Sequence, residues 1–357
     1  MTGGIFVKAQ LILENGERFA GEMFGCLKNV VGEVIFVSGG VIGYQEIIND
    51  PAYAGQIVVM TFPLIGNYGI NLENETGDSS HLSAMIVREK CDTPSNFRCE
   101  ETFEKYLEKK NVVGLYGIDT RALTKIIRNN GTMKGVIVTE GTDESEIKKL
   151  MAQFDDSDLS MRTTNKDIYV ENKGESKKAA VINLGSEKTL VQELVKMGYE
   201  VTVYPAFTEA EKILSEKFDV IFVSDGPGNP ENTPGTVDTV KNIIGKTPLL
   251  AVGMGHQVVG LALGGKVEKL KFGHHGGSQP VKNVVDGDVF ITSQNHSYVI
   301  KDLPEGFCQN FINVNDGTCE GILDEKLMVQ SVQFQPEAAP GTLQIGFLFK
   351  KFLGEVK

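Results

Sequence analysis

The spacing of hydrophobic and polar positions changes along this chain near residue 179. From there on, short apolar runs alternate with stretches of helical period, which predicts a succession of strands and helices. Such alternation is typical of a parallel sheet with right-handed crossovers. The predicted strands span residues 180–184, 200–204, 219–224 and 249–252, and the predicted helices span residues 190–197, 210–215 and 237–244.

The first part of the chain has a different pattern. Alternating apolar and polar residues lead into Asn15-Gly16, a strong hairpin signal, and further apolar runs predict buried strands at 32–37, 56–62 and 133–138. Amphipathic helices are predicted at 99–110 and at 119–129, the second capped by Asp119 or Thr120. These elements predict a mixed, β-rich α/β domain.

A polar stretch separates the two patterns. Apolar residues thin out over residues 155–178, where acidic, basic and amide side chains dominate. This composition is typical of a linker between domains. We therefore expect an N-terminal domain over residues 1–154, a linker over 155–178 and a second domain over 179–357.

Composition and charge narrow the class of protein. The chain has 41% hydrophobic and 23% charged residues, and its 35 basic against 47 acidic side chains give a net charge of −12. An acidic balance disfavours nucleic acid and anionic membrane surfaces as partners. No apolar run approaches the roughly 20 residues of a membrane span, and the start of the chain lacks the layout of a signal peptide. We expect a cytoplasmic protein.

Cysteine and histidine spacing gives no metal pattern. The five cysteines are scattered without a Cys-x-x-Cys pair, so we expect reduced and mostly buried thiols. The adjacent His274 and His275 point apart in either regular structure, and we expect them to form a packed turn and no metal site. For His256 we expect a structural hydrogen-bonding role.

The candidate chemistry centres on residues 249–265. An apolar run stops at Gly253-Met254-Gly255 and continues as a helix-period pattern, which predicts a strand, a sharp turn and a helix. In hydrolases such a turn holds a Ser or Cys nucleophile in a strained conformation above the end of a sheet. Here the residue at that position is Gly253, which has no side chain.

A glycine-rich loop at residues 224–230 follows the preceding predicted strand. Ligands of parallel sheets bind at the carboxyl ends of the strands, where this loop and the sharp turn are both expected. Gly226 and Gly228 allow backbone N–H groups to approach a ligand closely. With the amide that follows Gly253, they are expected to form an oxyanion hole, although a simple tight turn is the alternative.

The motifs taken together resemble a known family. Ser-Asp-Gly-Pro-Gly-Asn-Pro, Gly-Met-Gly-His-Gln, Phe-Gly-His-His-Gly-Gly, Ser-Gln-Asn-His and Phe-Gln-Pro-Glu-Ala are similar in order and spacing to class I glutamine amidotransferases. Gly-Tyr-Gln-Glu at 43–46, Pro-Leu-Ile-Gly-Asn-Tyr-Gly at 63–69 and Gly-Ile-Asp-Thr-Arg at 117–121 resemble the small subunit of carbamoyl-phosphate synthase. The resemblance covers essentially the whole chain.

The resemblance implies an α/β fold, in which the second domain is class I glutamine amidotransferase-like with a mainly parallel sheet. In that family a Cys attacks the amide of glutamine, a His activates the Cys and a Glu orients the His. The ammonia then reaches a large synthetase subunit, which uses ATP and bicarbonate. The implied partners are this large subunit and glutamine or ammonia. We expect no cofactor in this chain, and ATP and Mg²⁺ only in the large subunit.

Carried over residue by residue, the resemblance exposes a departure. The position of the nucleophile is Gly253, the position of the base is Gln335, and the orienting carboxylate is retained as Glu337. Met254, Ser297 and Tyr298 stand where the family usually has Leu, Gly and Phe, and Ala52 stands where some members have Ser. The positions that contact glutamine in the family are Ala52, Gly226, Gly228, Met254, Gln257, Asn295, Ser297 and Tyr298.

These residues predict a small subunit that lacks glutaminase activity and supports carbamoyl phosphate synthesis from ammonia. Two alternatives stay open at this stage. The chain could bind glutamine as a regulatory subunit without turnover, or it could be an active amidotransferase with another nucleophile. Cys308 and Cys319, the candidates for that nucleophile, lie outside the site motifs. The sequence leaves open whether the product feeds pyrimidine or arginine synthesis.

Overall fold

The computed structural model of the chain describes residues 7–39, 43–75, 79–186 and 188–336, together with Lys351 and Gly354. It divides into two compact units, Met1–Asp156 and Ser157–Lys357. The division falls inside the segment 155–178 that was predicted as a linker, most of which belongs to the second unit. Within this segment Leu159 and Ser160 are buried. The predicted limits of the linker stay a prediction.

The first unit is built on a closed barrel with the strand order β1-β2-β8-β6-β4-β3-β9. Closure comes from antiparallel pairing of β1 with β9, strands that are more than 100 residues apart in sequence. The predicted mixed, β-rich domain is confirmed. The barrel strands are β1 (Val7–Leu13), β2 (Arg18–Gly25), β3 (Val30–Val37), β4 (Gln56–Met60), β6 (Ala84–Ile86), β8 (Val113–Tyr116) and β9 (Met133–Thr139). A separate two-stranded sheet is formed by β5 (Leu64–Ile65) and β7 (Glu89–Lys90).

Four α-helices are found among the described residues of the first unit, and they pack against this barrel. Asp119 caps one of them, because its Oδ1 accepts a hydrogen bond from the N–H of Ala122 at 3.0 Å. Of the two caps that the sequence suggested, the structure selects Asp119. The helices are α1 (Tyr44–Asn49), α2 (Phe103–Lys109), α3 (Thr120–Asn130) and α4 (Glu144–Gln153).

The second unit contains a mixed sheet of ten strands, in the order β10-β12-β11-β13-β14-β19-β18-β17-β15-β16. Its strands are β10 (Tyr169–Glu171), β11 (Lys177–Asn183), β12 (Tyr199–Pro205), β13 (Val220–Val223), β14 (Leu249–Val252), β15 (Lys266–Asn283), β16 (Val289–Asp302), β17 (Cys308–Asn313), β18 (Cys319–Asp324) and β19 (Val329–Val332). Its helices are α5 (Leu159–Thr163), α6 (Lys188–Lys196), α7 (Ala210–Leu214), α8 (Pro234–Ile243) and α9 (Met254–Ala262).

Five adjacent strands of this sheet, β12, β11, β13, β14 and β19, run parallel. Successive side chains of a strand point to opposite faces, so both faces of the parallel part are apolar. Ala180 and Ile182 pack against α7, α8 and α9, whereas Ala179 and Val181 pack against α6. The predicted alternation of strands and helices is therefore confirmed over residues 177–262.

Beyond β19 the sheet continues with antiparallel strands, which the sequence analysis did not predict. β19 pairs with β18, β18 with β17, β17 with β15, and β15 with the edge strand β16. Within the part of the chain that the structure describes, no helix is long and apolar enough to cross a membrane.

We predict that Asp119→Ala lowers the free energy of unfolding by about 1 kcal/mol, since it removes the capping acceptor of α3. Asp143→Ala is the matched control, because Asp143 occupies the same position at α4 without a capping hydrogen bond from its side chain. Denaturant unfolding of both variants checks the prediction. Equal effects of the two substitutions would contradict it.

Candidate active site

The turn after β14 has the geometry of a nucleophile elbow. Gly253 adopts φ 55° and ψ −121°, a conformation that residues with a Cβ rarely adopt, and α9 begins at the next residue. The N–H of Gly253 donates to the carbonyl of Val332 at 3.0 Å, so the turn is tied to the neighbouring strand β19. The predicted strand, turn and helix are confirmed.

Two backbone amides beside the elbow converge on one oxygen atom. The N–H of Gly226 and the N–H of Met254 donate to Oδ1 of Asp225 at 2.7 and 2.8 Å. Donors at such distances from a single oxygen are the arrangement that stabilises an oxyanion during acyl transfer. Two of the three amides that the sequence suggested as an oxyanion hole, those of Gly226 and Met254, therefore meet, and the oxygen between them belongs to Asp225. A part for Gly228 in that hole stays a prediction.

Asp225 itself was missed by the sequence analysis. Its side chain is 3% exposed and lies just beyond the carboxyl end of β13, next to the elbow. The loop can take this path because Gly226 has no Cβ, which would collide with the backbone carbonyl of Leu184. The available signal was an acidic residue directly before the two glycines of the motif, at the end of a strand where ligands bind.

Gln335, at the position of the base, contacts the same carboxylate. Its Nε2 donates to Oδ2 of Asp225 at 3.2 Å, and its backbone N–H donates to the carbonyl of Ser293 at 3.1 Å. Gly253, Met254, Gly226 and Gln335 thus surround one carboxylate. Glu337, the predicted orienting residue, lies outside the described residues, so its role stays a prediction.

Two predicted substrate residues, Gln257 of α9 and Asn295 of β16, form side-chain hydrogen bonds within the protein. Nε2 of Gln257 donates to the carbonyl of Tyr298 at 2.7 Å and to Oε1 of Gln333 at 3.0 Å. Oδ1 of Asn295 pairs with Nδ1 of His275 at 2.7 Å. The hydroxyl of Ser297 is buried and has no hydrogen-bond partner among the described residues.

The remaining predicted substrate residues have backbone or packing roles. Gly228 adopts φ 94° in the loop after β13, and the side chain of Met254 is buried with its Sδ 3.4 Å from Oγ of Ser160. Ala52 is buried in the first unit, where its N–H donates to Oδ1 of Asp50 at 2.9 Å. Contact of any of these residues with glutamine stays a prediction.

A buried thiol, Cys319, lies near a histidine but is poorly suited to act as a nucleophile. Its Sγ is 4.0 Å from Nε2 of His256, whose Nδ1 pairs with Oγ of Ser331 at 2.8 Å. Burial raises the pKa of Cys319 to about 12 and lowers the pKa of His256 to about 3. The thiol therefore stays protonated at neutral pH, and His256 has the structural role that we expected.

The prediction of a turn at His274-His275 was wrong, since both residues lie within β15. Nε2 of His274 lies 2.9 Å from Oδ2 of Asp316, and its Nδ1 lies 3.5 Å from Oε1 of Glu320. Burial alone would lower the pKa of His274, but hydrogen bonds to these two carboxylates and their charges raise it to about 9. Turn-like composition was misleading because a buried ionic network holds this strand.

Nitrogen and oxygen atoms of His274, His296 and Glu320 lie within 4.8 Å of one another, the one grouping with metal-ligand chemistry among the described residues. These atoms already have partners. The amide of Gln294 lies between Glu320 and His296. Its Nε2 is 2.9 Å from Oε2 of Glu320, and its Oε1 is 2.9 Å from Nε2 of His296. Since the raised pKa of His274 favours a bound proton, we interpret the group as a structural ionic network.

Comparison with known proteins places these features in a family. The sequence model described as "Carbamoyl-phosphate synthase small chain, CPSase domain" matches residues 11–137, and that of "Glutamine amidotransferase class-I" matches residues 180–354. The carbamoyl phosphate synthase small chain of Clostridium perfringens is 48% identical over 97% of this chain and 99% of its own. The small chain of Caldanaerobacter subterraneus is 42% identical over 97% of this chain and 96% of its own. The pyrimidine-specific small chain of Bacillus subtilis is 39% identical over 97% and 95%.

The ionic network predicts a pH-dependent contribution to stability. The pKa of His274 is raised from 6.5 to about 9 in the folded protein, so its contribution is complete below about pH 6.5 and is lost as the pH rises through 9. This difference corresponds to roughly 3 kcal/mol. His274→Gln should therefore lower the free energy of unfolding most at pH 6.5 and much less at pH 9.5. Denaturant unfolding at the two pH values measures this.

The control for this experiment is His81→Gln, which removes an exposed histidine of the first unit. Its effect should not vary over the same pH range in the way expected for His274→Gln. A constant cost of His274→Gln between pH 6.5 and 9.5 would contradict the proposed protonation of His274.

Proposed function

This chain belongs to the carbamoyl-phosphate synthase small-chain family, and we propose that it supports carbamoyl phosphate synthesis from ammonia without hydrolysing glutamine. In this proposal its partner is a large synthetase chain, which binds ATP with Mg²⁺ and uses bicarbonate. The chain itself binds no cofactor and acts in the cytoplasm. Its contribution is to stabilise or shape the large chain.

The observation that carries the proposal is Gly253 at the elbow. Glutamine hydrolysis of this type requires a thiolate that adds to the amide carbon, expels ammonia and leaves a thioester for water to hydrolyse. Glycine offers no atom for that bond. In subtilisin, loss of one residue of the catalytic triad lowers kcat by up to about 10⁶-fold.

The position of the base supports the same conclusion. A histidine exchanges a proton near neutral pH, whereas the amide of Gln335 neither accepts nor releases one there. Its Nε2 instead donates a hydrogen bond to Asp225. An amide donor matched to a permanent carboxylate suits a structural contact and does not suit proton transfer to a leaving amine.

Neither alternative from the sequence has comparable support. An active amidotransferase needs another nucleophile, and Cys319 is buried with a pKa raised to about 12. A glutamine-binding subunit without turnover needs free donors for the substrate. The amides of Gly226 and Met254 already bind Asp225, and the amide of Gln257 already binds Tyr298 and Gln333.

The test is synthesis by the complex that this chain forms with a large chain from the same organism. Carbamoyl phosphate formation is measured with glutamine and, separately, with ammonium chloride. We expect synthesis from ammonium and a glutamine-dependent rate at least about 10³-fold lower, given the loss of nucleophile and base. Comparable rates from the two nitrogen sources would overturn the proposal.

Two controls make the result specific. The large chain alone, assayed with ammonium, shows how much this chain contributes to rate and stability. A small chain of the family with Cys and His at the positions of Gly253 and Gln335 shows that the large chain accepts ammonia from glutamine.

We also predict that incubation with glutamine leaves the mass of the intact chain unchanged, because no side chain at the elbow can form a glutamyl ester or thioester. Intact-protein mass spectrometry after acid quenching measures this directly. A glutamyl adduct, located by peptide mapping, would identify a different nucleophile.

A further inference from the structure

We propose that Asp225 closes this site to glutamine, so that the site is filled as well as lacking a nucleophile. The inference rests on the proposed absence of glutaminase activity and adds the residue that enforces it. Asp225 is a specificity-determining residue in this account. Its carboxylate occupies the space that a nucleophile would fill. It also accepts hydrogen bonds from the N–H groups that an amide substrate would need.

Asp225 fills the space that a side chain at position 253 would need. An ideal Cβ built on Gly253 would lie 2.5 Å from Oδ2 of Asp225 and closer still to its Cγ and Oδ1. Non-bonded carbon and oxygen atoms do not approach so closely, so the carboxylate occupies the place of the first side-chain atom of any residue at 253. The present position of Asp225 therefore requires glycine at the elbow.

Asp225 also binds the hydrogen-bond donors of the site. Oδ1 of Asp225 accepts from Gly226 and Met254 at 2.7 and 2.8 Å, and Oδ2 accepts from Gln335 at 3.2 Å. Hydrogen bonds to a charged acceptor are shorter and about twice as strong as those to a neutral one. The neutral carbonyl oxygen of glutamine competes poorly for these donors.

The charge of Asp225 also opposes the charge that develops during glutamine hydrolysis. The reaction of the family places negative charge on the substrate oxygen, and the oxyanion hole stabilises that charge. Asp225 is 3% exposed, and its carboxyl oxygens accept from three N–H donors, an arrangement that favours the ionised form and so places negative charge at this point. Two negative charges that share one set of donors in a buried site repel strongly. The site therefore disfavours the oxyanion intermediate as well as the substrate.

A consequence is that residues 225 and 253 are coupled. Restoring Cys at 253 and His at 335 leaves the carboxylate in the way, and the new side chain has to displace it from three donors. Replacing Asp225 first vacates the space and frees the amides of Gly226 and Met254. Reactivation therefore requires the third substitution.

The first experiment is a double-mutant cycle on the full chain, with Gly253→Ala, Asp225→Ala and both together, read as thermal midpoints. The backbone strain of Ala at φ 55° is the same in both backgrounds and cancels, so the coupling reports the clash. Gly253→Ala should lower the thermal midpoint in both backgrounds. We expect the decrease to be smaller, by at least about 2 °C, in the Asp225→Ala background than in the parent chain.

The matched control is Gly198→Ala, which places a Cβ at φ 79° with no atom within 4 Å. Its effect should be the same in the presence and absence of Asp225. If the effects of Gly253→Ala and Asp225→Ala on the midpoint are additive, as expected for Gly198→Ala and Asp225→Ala, the proposed clash is absent and the inference is wrong.

The second experiment measures glutamine binding and glutaminase rate, two readouts that do not depend on thermal midpoints. Asp225→Ala should gain glutamine binding by calorimetry relative to the parent chain. In complex with the large chain, Asp225→Ala/Gly253→Cys/Gln335→His should hydrolyse glutamine at least about 10-fold faster than Gly253→Cys/Gln335→His. Asp225→Asn in place of Asp225→Ala keeps the size of the side chain and removes its charge, so the rate of that triple variant should lie between those of the double variant and the Asp225→Ala triple variant.

The outcomes separate this inference from the proposed function. Glutamine-dependent synthesis by the unaltered complex would overturn the proposed function, whatever the variants do. No gain in binding by Asp225→Ala, or equal rates for the double and triple variants, would overturn the role of Asp225 while the proposed function stands.

Discussion

The arrangement of the second unit's site depends on the backbone at Gly253. With φ 55° and ψ −121°, the elbow directs the N–H of Met254 toward the point that the N–H of Gly226 also faces. The backbone fixes this pair of donors whatever the side chain at 253. Burial of donors without partners would cost about 1–3 kcal/mol for each group. A carboxylate that accepts from both therefore stabilises a hole that would otherwise need a ligand.

The parallel sheet explains why these groups meet. β13, β14 and β19 are adjacent, with Val223 paired to Ala251 and Val252 paired to Val332. Their carboxyl ends lie at one edge of the sheet, where Asp225, Gly253 and Gln335 follow within three residues of the respective strands. The fold thus brings one residue from each strand end together. Changes at one of the three positions alter the constraints on the other two.

Local signals in the sequence were sufficient for the elbow and for the strands and helices of the parallel sheet, and they narrowed the cap of α3 to Asp119 or Thr120. Pairing between distant segments was not readable in this way, as β1 with β9 and the antiparallel strands β15–β18 show. Their side chains alternate only partly, because buried polar residues such as His274 and Glu320 interrupt the apolar pattern. Asp225 was missed because an acidic residue beside glycines also suits an exposed turn, and only the fold shows that its carboxylate turns inward.

Among the described residues of the second unit two carboxylates are buried, Glu320 and Asp225, and the contrast between them shows why an acidic side chain suits the elbow. Glu320, fully buried, is surrounded by side-chain donors from Gln294 and Asn313 and by His274. Asp225 instead relies on backbone amides, one of them at the N-terminus of α9, where the helix dipole also favours negative charge. An amidotransferase uses such donors to stabilise an oxyanion that exists only during reaction. The same preorganised donors stabilise a permanent carboxylate equally well, so loss of the nucleophile leaves a site that favours an internal anion over a neutral side chain.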